Sequence, residues 1–215
     1  MEFNSKLHDI LNKDESAFKE IVIHRKEEQL ASLQIKSFST KFVDLVKSRI
    51  ELNFNLLEMQ FNQKTLLKAL NGNRLMSFDY KNFNSGRSKL ENFKGKYLFM
   101  DVWATWCETC IIEFPYIDNL KKVYANKNIE FVSVSVDKDY AAWKEYALKK
   151  ELKGFQLFDS NGRNSDFMKS LLIRGIPRFI LIGPDGEIIN ADAPKPSSPQ
   201  LVKTLDELLK LQVIC

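Results

Sequence analysis

Apolar residues in the first third of the chain recur every three or four positions and hardly ever alternate. Leu7, Ile10 and Leu11 share one helical face, and Phe18, Ile21 and Val22 share another. Phe42, Val46, Ile50, Phe54, Leu57 and Phe61 sustain a long stripe. Residues 5 to about 73 therefore read as helix, with Ser39 placed to cap the longest stretch and Asn71-Gly72-Asn73 to stop it. The stripe carries no ligand-type residues, so it reads as core or docking surface and not as a cofactor box.

From residue 77 the period shortens. Ser77 to Leu90 alternates about Asn84-Ser85-Gly86, a hairpin signal, and Tyr97 to Trp103 is a strongly apolar strand. A helix to about residue 126, interrupted by Pro115, leads to Ile129–Val136 (IEFVSVSV), apolar enough to be buried on both faces. Tyr140 to Leu152 reads as helix, Phe155 to Phe158 as a short strand, Asp166 to Ile173 as a short helix and Arg178 to Ile182 as a third central strand. Pro184-Asp185-Gly186 turns that strand into Glu187–Ala191 as a hairpin, and Ser198-Pro199 opens a last helix. This order implies an α/β protein with a mixed sheet and helices on both faces. The domain reading is a helical segment at 1–76 followed by an α/β domain at 77–215.

Composition narrows the class. A 44% hydrophobic content over 215 residues supplies a core, and a net charge of +4 from 32 basic and 28 acidic residues concentrates no basic field. Nucleic-acid binding is therefore not expected. No apolar run approaches the ~20 residues that cross a bilayer. The polar start Met-Glu-Phe-Asn-Ser-Lys lacks a signal profile, which fits either a cytoplasmic protein or an exported one whose signal was removed.

Three cysteines cannot build a disulfide framework. Cys215, the last residue, reads as a spare thiol. The other two stand in Trp103-Ala104-Thr105-Trp106-Cys107-Glu108-Thr109-Cys110, at the end of a central strand and the start of a helix. Unpaired N–H groups at a helix start favour a thiolate, so Cys107 is the expected nucleophile, exposed at the helix tip. Cys110, one turn deeper, is close enough to bridge it and shielded from partners. Other readings stay open on the residues alone. A zinc site would need a second Cys pair or a histidine pair, and His8 and His24 lie far upstream. Covalent haem would need His where Ile111 stands, a papain-like thiol would need one of the same two histidines as its base, and two buried core thiols remain a simple alternative.

The segment from Phe93-Lys94-Gly95-Lys96 through the two cysteines to Glu113-Phe114-Pro115, with Gly175-Ile176-Pro177 ahead of a strand and Pro184-Asp185-Gly186 after it, resembles the thioredoxin superfamily. More narrowly it is similar to the TlpA/ResA-like thiol-disulfide oxidoreductases, a redoxin-like domain, over about residues 77–212. The resemblance implies a thioredoxin-like fold preceded by the helical segment, which it does not cover. It also implies an enzyme that reduces or exchanges protein disulfides without cofactor or metal, recharged by a membrane thiol-disulfide carrier, in the periplasm or cell envelope. Two departures stand out. Thr109 occupies a position where many relatives carry proline, and Leu75-Met76-Ser77-Phe78 matches the family's first hairpin poorly.

The resemblance also assigns roles. Cys107 attacks a partner disulfide and Cys110 resolves the mixed disulfide, with Asp101 or Glu113 taking the Cys110 proton directly or through water. Pro177 is expected to be cis, leaving the Ile176 backbone free to pair with an extended client. Trp106 is expected to pack beside the sulfurs and limit access, with Glu108 and Thr109 completing the client-facing surface. The charge of Glu108 beside Cys107 disfavours the thiolate, which points to the reducing side. The alternatives are a thiol peroxidase of the same fold, whose Pro-x-x-x-Thr-x-x-Cys loop is missing here, and an adaptor that docks a partner or a second copy through the N-terminal helices.

Overall fold

The computed structural model describes residues 9–33 and 38–210. Its elements run α1 (Glu15–Ser32), α2 (Thr40–Leu70), β1 (Asp79–Asn82), β2 (Arg87–Lys89), β3 (Tyr97–Trp103), α3 (Glu108–Ile111), α4 (Phe114–Val123), β4 (Ile129–Ser135), α5 (Tyr140–Lys149), β5 (Phe155–Phe158), α6 (Asp166–Ser170), β6 (Arg178–Ile182), β7 (Ile188–Asn190) and α7 (Pro199–Lys210). By compactness the chain divides between residues 1–66 and residues 67–215. The expected positions of Leu7 and Cys215 lie outside the described residues.

In the first unit Asp14 caps α1, its carboxylate accepting from the Ala17 N–H at 2.9 Å. Phe18 and Val22 of α1 meet Ile50, Phe54 and Phe61 of α2, with Ile10 completing the cluster. The Phe18 and Phe61 rings stack with centroids 3.8 Å apart. Burial of each such side chain contributes ~2 kcal/mol, which holds two amphipathic helices together. Most of the stripe read from the sequence is therefore core within this unit and not docking surface. Phe42 lies outside this core: it is exposed, on a second face of α2 that also carries Leu45, Leu52, Leu56, Met59 and Leu66.

The second unit is a seven-stranded sheet ordered β2-β1-β5-β4-β3-β6-β7. β3 lies inside it, parallel to β4 from Tyr97↔Ile129 to Trp103↔Ser135 and antiparallel to β6 from Leu98↔Ile182 to Val102↔Arg178. Side chains of a strand alternate between faces, and the two resulting clusters differ in their helices. Leu98, Met100 and Val102 pack with Trp143 of α5 and Phe167 and Met168 of α6. Phe99 packs with Ile117 and Leu120 of α4 and with Leu201, Leu205 and Leu209 of α7. The hairpin expected about Asn84-Ser85-Gly86 is present: β1 pairs with β2 across Tyr80↔Ser88, and with β5 across Asn82↔Leu157.

The stretch after the cysteines, expected as a helix interrupted by Pro115, is two helices. Pro115 lacks an N–H, and its ring would meet the Ile111 carbonyl in a continuous helix, so α3 ends at Ile111 and α4 restarts with Pro115 in its first turn. The cysteine pair thus stands on a single turn.

Candidate active site

β3 runs out at Trp103, and the chain turns through Ala104 and Thr105 toward the cysteines. An aspartate at the end of the adjacent strand holds this turn. Both oxygens of Asp137 lie within reach of the Thr105 N–H, at 3.0 and 3.2 Å. Asp137 also accepts from the Thr105 hydroxyl at 2.8 Å and from the Ser135 hydroxyl at 2.7 Å. Asp137 is buried, so these charge-assisted bonds replace the water it has lost. Sequence reasoning missed it, since Ser-Val-Asp after a strand reads as an ordinary strand end.

Cys107 is the N-cap of α3, its Sγ accepting from the Cys110 N–H at 3.2 Å. Cys107 and Cys110 are joined by a disulfide, with Cα atoms 5.3 Å apart. In this oxidised state Cys107 is less open than a helix tip suggests, at 6% exposure against 2% for Cys110. Thr109 is exposed, and its Oγ1 lies 3.5 Å from Cys107 Sγ, so this residue touches the reactive sulfur directly. Glu108 is exposed one residue beyond Cys107.

Trp106, expected beside the sulfurs, presents much of its indole to solvent. It is 54% exposed, and the Arg163 guanidinium stands 4.8 Å from its ring centroid. In this segment the indole that enters the core is Trp103, edge-on to Phe114 at 4.9 Å between centroids.

Asp101 lies in β3 among apolar neighbours and is 2% exposed. One oxygen accepts from the Ser133 hydroxyl at 2.7 Å, and the other has no hydrogen-bond partner among the described residues. Burial pushes its pKa up to about 6, against the smaller opposing effects of the Ser133 bond and the Lys121 charge.

Glu113 sits in the break between α3 and α4. Its carboxylate accepts from both the Ser197 N–H at 2.8 Å and the Ser197 hydroxyl at 2.9 Å, with the Lys195 ammonium 3.9 Å away. This ties the helix break to the loop before α7.

The Ile176–Pro177 peptide is cis. Ile176 is half-buried, and among the described residues neither its N–H nor its C=O pairs with another backbone group. Also among the described residues, no group of three or more His, Cys, Asp or Glu side chains is arranged to hold a metal. None of the described helices is long and apolar enough to cross a membrane.

A mixed sheet with a Cys-x-x-Cys disulfide at the end of an inner strand defines the thioredoxin-like class of thiol-disulfide oxidoreductases. The chain belongs to the Redoxin family, whose profile matches residues 70–209. It is 26% identical over 157 residues to the thiol-disulfide oxidoreductase ResA of Bacillus cereus, covering 73% of this chain and 88% of that one. Among solved structures, a Bacteroides vulgatus protein assigned as a thiol-disulfide oxidoreductase is 45% identical, with a TM-score of 0.59 over 64% of this chain and 89% of its own. A thiol-disulfide oxidoreductase of Bacteroides fragilis is 29% identical, with a TM-score of 0.57 over 63% of this chain and 99% of its own.

Proposed function

We propose that this chain reduces or exchanges disulfides of client proteins through the Cys107–Cys110 couple, working on the reducing side in the bacterial cell envelope. The observation that carries the reading is the disulfide itself, seated on one helical turn at the end of an inner strand. In the reduced enzyme the Cys107 thiolate attacks one sulfur of a client disulfide. A bond forms between Cys107 Sγ and that sulfur, and the client's other sulfur leaves as a thiolate. Cys110 then loses its proton and attacks Cys107 Sγ, the mixed disulfide breaks, and the client leaves as a dithiol. The product is the oxidised enzyme described above, which a membrane thiol-disulfide carrier returns to the dithiol.

Asp101 is the proposed proton acceptor for Cys110. A buried carboxyl with a pKa near 6 can both take and return a proton near neutrality. Glu113, bonded twice to Ser197, is proposed to act by holding the helix break, and as a second acceptor for the Cys110 proton, directly or through water. Ile176 and Pro177 are proposed to receive the client backbone, with Trp106, Glu108 and Thr109 around it. The reducing assignment rests on the short helix, whose single turn stabilises a thiolate weakly, and on the carboxylate of Glu108.

Insulin-disulfide reduction tests the activity: wild type should work, and Cys107→Ser at an equal rate would reject it. Cys110→Ser should accumulate mixed disulfides, and their capture identifies the clients. A redox titration against glutathione that placed the pair at a strongly oxidising potential would reject the direction. Localisation is checked by fractionating the native host with an antibody to the chain.

Self-association is proposed to run through the N-terminal segment 1–76, ahead of the redox domain 77–215. The second apolar face of α2, with Phe42, Leu45, Leu52, Leu56, Met59 and Leu66 spaced three, four and seven apart, has the recurrence that a helix from a second copy would fill. Sedimentation of the whole chain should show a dimer that Leu52→Glu dissociates, and a monomeric wild type at high concentration would reject it.

A further inference from the structure

We propose that the surface beside Cys107 selects client segments with acidic side chains next to the disulfide, and that Arg163 is the residue that reads their charge. This rests on the exchange activity proposed above.

Trp106 adjoins the reactive sulfur in sequence, and an indole left more than half open is uncommon on a protein surface. Arg163 covers part of its ring at 4.8 Å. The stacking removes water from one face of the guanidinium while its N–H fork stays free at the edge, the arrangement that grips a carboxylate with two parallel bonds. Among the described residues no carboxylate pairs with Arg163, and nearby Asp166 is occupied by Lys169 at 3.1 Å.

The loop that carries the cation is also held in place. The Asp159 N–H donates to the Ser135 carbonyl at 2.9 Å, anchoring the loop to the end of β4. The Asn161 N–H donates to the Asp159 carboxylate at 3.0 Å, and a Cβ on Gly162 would lie 3.0 Å from the Val136 carbonyl, so the backbone there fits closely. Ser165 closes the loop by accepting from the Met168 N–H at 3.1 Å. A half-buried bond from the Tyr80 hydroxyl to Asp159 at 2.9 Å ties the loop to β1 as well.

A second arginine stands close to Ile176 in the chain. Arg174 is exposed, has no carboxylate partner among the described residues, and lies two residues before Ile176. A client strand paired with the Ile176 backbone and presenting its disulfide to Cys107 meets both cations. Glu108 opposes them with one exposed carboxylate, leaving the balance positive.

The test uses the whole chain in its dithiol form and two peptides of equal length. Each is closed by one disulfide, and they differ only in carrying Asp and Glu or Lys beside the half-cystines. The uncharged hydroxyethyl disulfide is reduced in parallel. At low ionic strength the acidic peptide should react about tenfold faster than the basic one, with the ratio shrinking several-fold as salt screens the charges. Arg163→Lys should keep part of the preference, and Arg163→Glu should invert it. Equal rates for the two peptides, or a wild-type ratio in Arg163→Glu, overturn the assignment while leaving the exchange activity standing. If the wild type reduces none of the three substrates, the exchange reading falls first and the charge preference with it.

Discussion

Replacing Asp101 by Asn should remove most of a stability loss that the wild type suffers between about pH 4 and pH 7. The folded carboxyl has a pKa of about 6, against 3.8 for an unperturbed aspartate. A raised value means that the native state holds the proton more tightly than the unfolded chain does. The stabilising contribution is therefore fully present below 3.8 and is lost as pH rises through about 6. The gap between the two values corresponds to ~3 kcal/mol. Asn at this position does not titrate and can still accept from the Ser133 hydroxyl. Its amide hydrogens would face the place where the second oxygen finds no partner, a pH-independent cost of ~1–3 kcal/mol. The difference between the two proteins, followed from pH 4 to pH 8, should thus move by ~3 kcal/mol in favour of the variant. With a urea dependence of ~2–3 kcal/mol per molar, that is a relative midpoint shift of about 1 M. All three tryptophans lie in residues 67–215, so their fluorescence in urea titrations of the oxidised proteins follows this unit. Midpoints that keep a constant separation across the range would refute the buried, proton-holding carboxyl.

Asp137→Ala should cost ~2–4 kcal/mol, because it leaves the Thr105 N–H and two hydroxyls unpaired, and should slow insulin reduction more than tenfold by loosening the approach to Cys107. Gly162→Ala should lower stability by ~1–3 kcal/mol, since the residue sits at φ +52 with the Val136 carbonyl 3.0 Å from the new methyl; chemical denaturation reads it directly. Thr109→Val should raise the pH at which the Cys107 thiolate absorbance develops, because a hydroxyl 3.5 Å from the sulfur is lost, and Thr109→Ser should restore it.

The inner strands were legible because their composition leaves little choice. Tyr97–Trp103 and Arg178–Ile182 are short runs, apolar almost throughout and bounded by turn residues, and both are strands over the expected residues. The sequence also located the cysteines at the strand end and the helix start. It was less informative wherever a side chain's partner is distant in the chain. Asp137 finds Thr105 across 32 positions and Glu113 finds Ser197 across 84, and no local pattern announces either. Trp106 and Trp103 are both indoles flanking Ala-Thr, yet one is exposed and the other fills the core, because only the end of the sheet decides which points inward. The long helix shows the same limit. α2 has two apolar faces, and periodicity detects both without saying which one meets α1.

The place of β3 in the strand order has a consequence for amide hydrogen exchange. Protection follows the free energy of the smallest opening that frees an N–H, and edges open before interiors. β2 and β7 form the two margins of the sheet, whereas β3 is laced to a neighbour on either side along nearly its whole length. Deuterium should therefore enter the margins first and reach Phe99 to Val102 among the last. The residues that aim the sulfurs are then the ones that outlast partial unfolding, so the couple can keep its geometry while a client tugs at the periphery.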